Sequence, residues 1–175
     1  MIDSVAMPHV FPMIRAGGLF ILIMGAGVIL GGLWPRRRIA LLMAGGAGAT
    51  LAIILTADLL TRPLGVPTRI QFWALAAAIA LEIMLIRVVV ARYKRAGERP
   101  FLLAILFVVG LHFLPMAITF GPLCAALGFC AMANAAIAFR TSRDISLNRV
   151  WIIDGVLKLS FGGLMFAVAS NASAA

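Results

Sequence analysis

The chain has 175 residues, of which 63% are hydrophobic and 12% charged, and its mean hydropathy is +1.10. A water-soluble domain carries about a quarter charged residues and a disordered chain needs low hydrophobicity, so both classes are excluded. Two cysteines, Cys124 and Cys130, are too few for a disulfide scaffold. A net charge of +9 would point to nucleic acid in a soluble protein, but here most basic residues lie in short blocks beside apolar runs, where they act as orientation signals. The expected partner is the lipid bilayer, not nucleic acid.

A hydrocarbon core of roughly 30 Å is spanned by about 20 helical residues. Apolar runs of that length occur at 16–34, 39–60, 70–91, 101–120, 122–139 and 149–170, and no seventh fits. The first run follows Met1-Ile2-Asp3 and is followed directly by Arg36, Arg37 and Arg38. That is the reverse of a cleavable signal peptide, so the run is expected to stay as the first helix. Pro35 closes it. Gly27 and Gly31 in this helix, and Gly45, Gly46 and Gly48 in the second, suit close helix packing. They do not suit a phosphate loop, because no strand precedes them and no Gly-Lys-Ser/Thr follows. Pro63 and Pro67 break the connection after the second helix, Pro100 sits where the fourth can start, and Gly121-Pro122 makes a tight turn between the fourth and fifth. The connections are short throughout. The expected fold is therefore all-α, a polytopic bundle of six transmembrane helices forming a single domain over 1–175.

Three basic blocks, Arg36–Arg38, then Arg92, Lys94, Arg95 and Arg99, then Arg140, Arg143 and Arg149, alternate with connections poor in positive charge. The positive-inside rule makes the blocks cytoplasmic and puts the N-terminus and the C-terminus both outside. A cell inner membrane, crossed several times, is the expected location. Six helices divide into two sets of three, which an inverted-topology repeat would relate. Residues 1–98 and 99–175 give no convincing alignment, so the repeat is a possibility only.

Ionisable side chains at bilayer depth cost a few kcal/mol each, and those that remain generally face protein or water. Glu82 and Arg87 in helix three, His112 in helix four, and Asp154 and Lys158 in helix six are such residues, with Asn134 in helix five an uncharged companion. At about 1.5 Å of rise per residue, Glu82, His112 and Lys158 fall near mid-membrane, while Arg87, Asn134 and Asp154 form a layer about 8 Å from the cytoplasmic end. Formal charges cancel, Glu82 and Asp154 against Arg87 and Lys158. Asp154 and Lys158 are spaced i, i+4 and can pair on one face. Glu82 reaches neither surface and is expected to point inward toward Lys158, His112 or both, whereas Arg87 can snorkel to the headgroups. Gln71, eleven residues before Glu82, lies on the same stripe and gives helix three one polar side. His112, three residues before Pro115, suits a gate or a proton relay, and equally a core in which it makes one hydrogen bond. Asn134 suits an interhelical hydrogen bond. Asp58, near the outer end of helix two, can pair with Arg62 at the water interface.

Reaction motifs do not stand out. There is no His-Glu-x-x-His, no Cys-x-x-Cys, no carboxylate cluster with metal-ligand spacing and no evident Ser/His/Asp arrangement. Cys124 and Cys130 face different ways on their helix, and His9 belongs to the outer tail, so neither a metal nor a bis-histidine haem is expected. No cofactor is assigned.

Two resemblances follow from these residues. The last helix, Trp151-Ile-Ile-Asp154-Gly-Val-Leu-Lys158-Leu-Ser-Phe161-Gly162, resembles the retinal-carrying helix of microbial rhodopsins; this would imply a chromophore on Lys158 with Asp154 as counter-ion. The six spans and the other helices depart from that family. The stretch Gly110-Leu-His112-Phe-Leu-Pro115 through Asn134, with Asp154-Gly-x-x-Lys158-x-x-Phe161-Gly162, resembles small uncharacterised bacterial membrane proteins. That likeness implies six helices and no particular activity. Three functions remain in view. One is a bundle that binds or transports a small solute or protons through Glu82, His112, Asn134, Asp154 and Lys158, with Arg87 and Gln71 secondary. Another is an accessory subunit of a homo-oligomer or larger membrane complex. An enzyme acting on a lipid or isoprenoid is the third, and it lacks a visible nucleophile or metal.

Overall fold

In hydrocarbon every backbone N–H and C=O must be satisfied within the protein, which helices do by themselves. The computed structural model describes residues 10–61, 64–141 and 145–172, and among these there are six long helices and no strand. They are α1 (Ile14–Leu33), α2 (Arg38–Thr61), α3 (Arg69–Tyr93), α4 (Glu98–Phe120), α5 (Pro122–Arg140) and α6 (Leu147–Ala172), with a single 3₁₀ turn at Pro35–Arg37. All six are long and apolar enough to cross a membrane. Each covers its expected span to within a residue or so and extends into the flanking polar residues, because a helix continues past the apolar run until Pro or Gly stops it. Gly121 does this between α4 and α5: its φ of +92° is left-handed backbone that a Cβ disfavours, and Pro122 opens the next helix. Helix α4 runs through Pro115 without ending. His9, Arg62, Pro63 and Arg143 lie outside the described residues.

The helices form two layers of three. Helix α1 packs between α2 and α6, α4 packs between α3 and α5, and the layers join where α5 meets α6 and α1 touches α4. Helices α2 and α3 rest mainly on α1 and α4 respectively, so most of their surface is exposed and apolar, as Leu55, Leu59, Ile70 and Trp73 illustrate. Such an exterior suits lipid, which is as apolar as the core.

The tightest seam lies between antiparallel α1 and α6. Gly18, Gly25 and Gly32 recur every seventh residue on α1 and face Gly162, Gly155 and Asn148 on α6. A Cβ on Gly25 would lie 2.9 Å from Gly155 O and Leu159 N, and one on Gly155 would lie 2.8 Å from Gly25 O. The two backbones touch, which only glycine allows. This stripe differs from the Gly27 and Gly31 pair singled out by sequence, which faces α2: a Cβ on Gly27 would be 3.1 Å from Gly45 Cα. Gly46 and Gly48 make only ordinary contacts, at 3.5 Å and 3.9 Å, so close approach is not their role.

Two apolar clusters fill the interior. One, at the end away from the basic blocks, includes Ile14, Ile21, Phe113, Phe120 and Met165, and Leu64 from the α2–α3 connection tucks into it at 2% exposure. The other, near the basic end, includes Val28, Leu102, Leu103, Val150 and Trp151. Arg38 ties that basic end together while only 3% exposed. Its guanidinium donates to Gly31 O (3.3 Å), Asn148 Oδ1 (2.6 Å) and Glu98 Oε1 (3.4 Å), and lies 5.1 Å from the Trp151 ring centroid. Arg99 donates to Ile145 O (2.6 Å) and Ala138 O (3.1 Å). Both arginines therefore clamp helices in addition to any role in orientation.

The seam makes a direct prediction. Gly25→Ala drives a methyl group into the α6 backbone and should destabilise the protein in detergent by about 1–3 kcal/mol. Gly163→Ala meets nothing within 4 Å and should be neutral or slightly stabilising, because alanine favours helix. Thermal unfolding followed by circular dichroism measures both; equal midpoints would refute a backbone contact at Gly25.

Candidate functional site

Between the two apolar clusters lies a polar centre whose deepest part is on α6. One helical turn separates Asp154 and Lys158, whose residues are 0% and 1% exposed, and the Lys158 ammonium donates to Asp154 Oδ2. The i, i+4 pair expected from sequence is thus formed. The α1–α6 seam walls it on one side: a Cβ on Gly25 would lie 2.9 Å from Lys158 Cβ, so the lysine stem passes only because Gly25 has no side chain. From α4, the Phe113 ring stands 5.8 Å from Lys158 Nζ, a favourable cation–ring distance.

His112 precedes Phe113, and their rings lie 4.5 Å apart at an angle of 31°. The histidine is 6% exposed, and its Nδ1 is 3.7 Å from Glu82 Oε1 on α3. That distance is beyond a hydrogen bond and within electrostatic reach. Glu82 keeps 26% of its side-chain surface. Lys158 is near enough to act electrostatically on both Glu82 and His112. Helices α3, α4 and α6 therefore converge on one cluster: Glu82, His112, Asp154 and Lys158.

Two enclosed polar atoms in and beside the cluster, Asp154 Oδ1 and Trp151 Nε1, have no protein hydrogen-bond partner among the described residues, and His112 Nδ1 has none of good geometry although its ring lies by the Val109 backbone. Each such atom costs about 1–3 kcal/mol. Arg87, expected to offset one of the carboxylates, is exposed. The reason is angular, since five residues after Glu82 the helix has turned to another side.

Two other residues singled out by sequence serve elsewhere. Asn134 on α5 donates to Val150 O at 3.0 Å, tying α5 to α6 one turn before Asp154. Gln71 caps the start of α3 with Thr68, donates to Val10 O at 2.8 Å and accepts at its own carbonyl from Thr119 at 2.7 Å. It belongs to the far end of the bundle, not to the cluster, although it shares a helix side with Glu82. Asp58 is exposed, and its expected partner Arg62 falls outside the described residues. The Cys124 thiol is buried against Phe113 O at 3.5 Å, and Cys130 is half-buried. Sequence reading missed Trp151, Phe113 and Arg38. Trp151 alone had a signal, lying one turn before Asp154 on the same face.

Comparison with protein families matches residues 6–175 to a family described as of unknown function, DUF6609. The chain belongs to the DUF6609 family. Neither the curated proteins nor the solved structures contain a match. For this DUF6609 member, the site must accordingly be read from its own geometry.

Removing one partner of an enclosed ion pair leaves a buried charge at a cost of about 3–5 kcal/mol, whereas removing both costs far less. Lys158→Met should destabilise by that amount, and Lys158→Met combined with Asp154→Leu should recover most of it. Unfolding in mixed micelles gives both values; a double variant as unstable as the sum of the singles would show that the two side chains do not pair.

Proposed function

We propose that this chain is a membrane carrier of protons, alone or together with a small solute, working in the cell inner membrane at the Glu82–His112–Asp154–Lys158 centre. One observation carries the reading: Glu82, a half-buried carboxylate at mid-bundle, faces His112 and an already complete Asp154–Lys158 pair. A purely structural ion pair needs no third charge. The extra negative charge in a medium of low polarity is offset by taking up a cation, and a proton on Glu82 or His112 Nδ1 is the smallest that fits. Glu82 and His112, 3.7 Å apart, need only a small approach for a proton to pass between carboxylate and ring nitrogen.

The surroundings are asymmetric. On one side Phe113, Phe120 and Leu64 form an apolar plug. On the other, polar groups continue through Trp151 and Asn134 to Arg38 at the basic end. With the positive-inside orientation, both termini outside, these polar groups lie on the cytoplasmic side of the centre, and Trp151 and Arg38 enclose it there. Passage to the far side requires the apolar plug to part.

An accessory subunit of a larger complex is the second reading. It is favoured by α2 and α3, which each use a narrow seam and leave broad apolar sides free for partner helices. Purification in mild detergent separates the two: stoichiometric foreign partners support the subunit, a lone chain or homo-oligomer the carrier.

The carrier reading is tested in vesicles loaded with a pH-sensitive dye under an imposed potassium diffusion potential. The unaltered chain should dissipate the gradient, and Glu82→Gln, which preserves shape, should slow it at least about tenfold, as should Lys158→Met. Flux unchanged in both variants removes the basis of the proposal.

A further inference from the structure

The two layers follow one rule of connection. Helix α1 packs on its successor α2 and on α6, the last helix of the other triplet; α4 packs on its successor α5 and on α3, the last helix of the first triplet. Exchanging α1–α3 with α4–α6 leaves this pattern intact. Glycine crossings supply a register. Between α1 and α2 the crossing joins Gly27 to Gly45, where a Cβ on Gly27 would lie 3.1 Å from Gly45 Cα. Between α4 and α5 it joins Gly110 to Gly128, where a Cβ on Gly128 would lie 2.8 Å from Gly110 O. The members of each pair are 18 residues apart, and a shift of 83 carries Gly27 to Gly110 and Gly45 to Gly128. The same shift carries α1 to 97–116, α2 to 121–144 and α3 to 152–176, against observed helices Glu98–Phe120, Pro122–Arg140 and Leu147–Ala172. Three helices per unit is an odd number, so the second unit runs inverted relative to the first.

The equivalence is not exact: the glycine seam between α1 and α6 has no counterpart between α4 and α3, and a second difference lies at the edges. Helix α5 packs on α6, whereas α2 makes no comparable packing with α3. We infer that the chain is an inverted repeat of two three-helix units, and that the ionic centre has two alternating lateral openings: the α2/α3 edge, open here, and the α5/α6 edge, closed here. In the second arrangement α2 closes on α3 as α5 now closes on α6, and α5 withdraws. The charges of the centre are distributed accordingly. Glu82 lies on α3 and Asp154 and Lys158 lie on α6, the equivalent helix, so each edge has part of the centre beside it. The hydrogen bond from Asn134 to Val150 O, 3.0 Å long, is the latch of the closed edge. That the exchange serves the ionic centre rests on the carrier reading above; the existence of two arrangements does not.

Spin labels at the exposed mid-helix positions Leu51→Cys on α2 and Ile79→Cys on α3, in a Cys124→Ala/Cys130→Ala background in lipid nanodiscs, read the α2/α3 separation by pulsed electron resonance. The inference expects two distance populations, the shorter of which grows when Asn134→Ala cuts the latch. A single distance, unmoved by Asn134→Ala and the same at pH 5 and pH 8, overturns it. Two distances in a chain without proton flux would keep the repeat and remove the carrier reading; proton flux with one fixed distance would do the opposite.

Discussion

An ammonium and a carboxylate share one turn of α6 where α1 comes close enough for backbones to touch, and the rest of the architecture is arranged around that contact. Taking two charges out of water costs several kcal/mol per ion, and their attraction offsets this only when the geometry is close and the surroundings are fixed. Glycine at 25 and 155 provides the fixed wall: with no side chains in the seam, the α1 backbone itself encloses Lys158. Across the cluster, Phe113 closes the remaining side with a ring face toward the ammonium. The tight seam and the ion pair therefore depend on one another, because a wider seam would expose the pair and an unpaired lysine could not be enclosed.

Beside the ion pair stands Glu82. It sits on a helix held mainly by one neighbour, keeps part of its surface, and faces a histidine whose Nδ1 has no hydrogen-bond partner of good geometry among the described residues. Closely and loosely packed parts are thus juxtaposed: in this arrangement α1, α4, α5 and α6 pack on one another, and α2 and α3 are carried on their edge. Arg38 adds a bracket at the basic end, joining the start of α2 to the starts of α4 and α6. At the opposite end the capped start of α3 is tied to Val10 and Thr119. Motion of the outer helices would then be greatest in the middle of the bundle, beside Glu82.

Much of this was legible in the sequence because lipid makes charge expensive. Glu82, His112, Asp154 and Lys158 stand out in otherwise apolar runs, and the structure gathers all four. Helix number and ends were legible because Pro and Gly interrupt runs of the right length. The layer order was not, since lipid and protein core are equally apolar and a membrane helix carries little periodicity to show which side is inside. Gln71 misled for a related reason: a neutral polar side chain can be satisfied by a nearby carbonyl, so helix side does not assign it to the charged cluster, whereas Asn134 makes the interhelical hydrogen bond its setting suggested. The clamping roles of Arg38 and Arg99 were hidden by the orientation rule, which accounts for the same arginines without any packing. The Gly18, Gly25 and Gly32 stripe was obscured by the other glycines of α1.

The central claim, a charged pair enclosed at the heart of the bundle with Glu82 beside it, is tested most directly by solid-state nuclear magnetic resonance on the chain in lipid bilayers. With nitrogen-15 in lysine and carbon-13 in aspartate and glutamate, the account predicts an ammonium signal for Lys158 correlated with the Asp154 carboxylate carbon, and a Glu82 carboxyl signal that shifts in Lys158→Met. A Lys158 signal whose only close neighbours are lipid acyl chains, with no aspartate correlation, would contradict it.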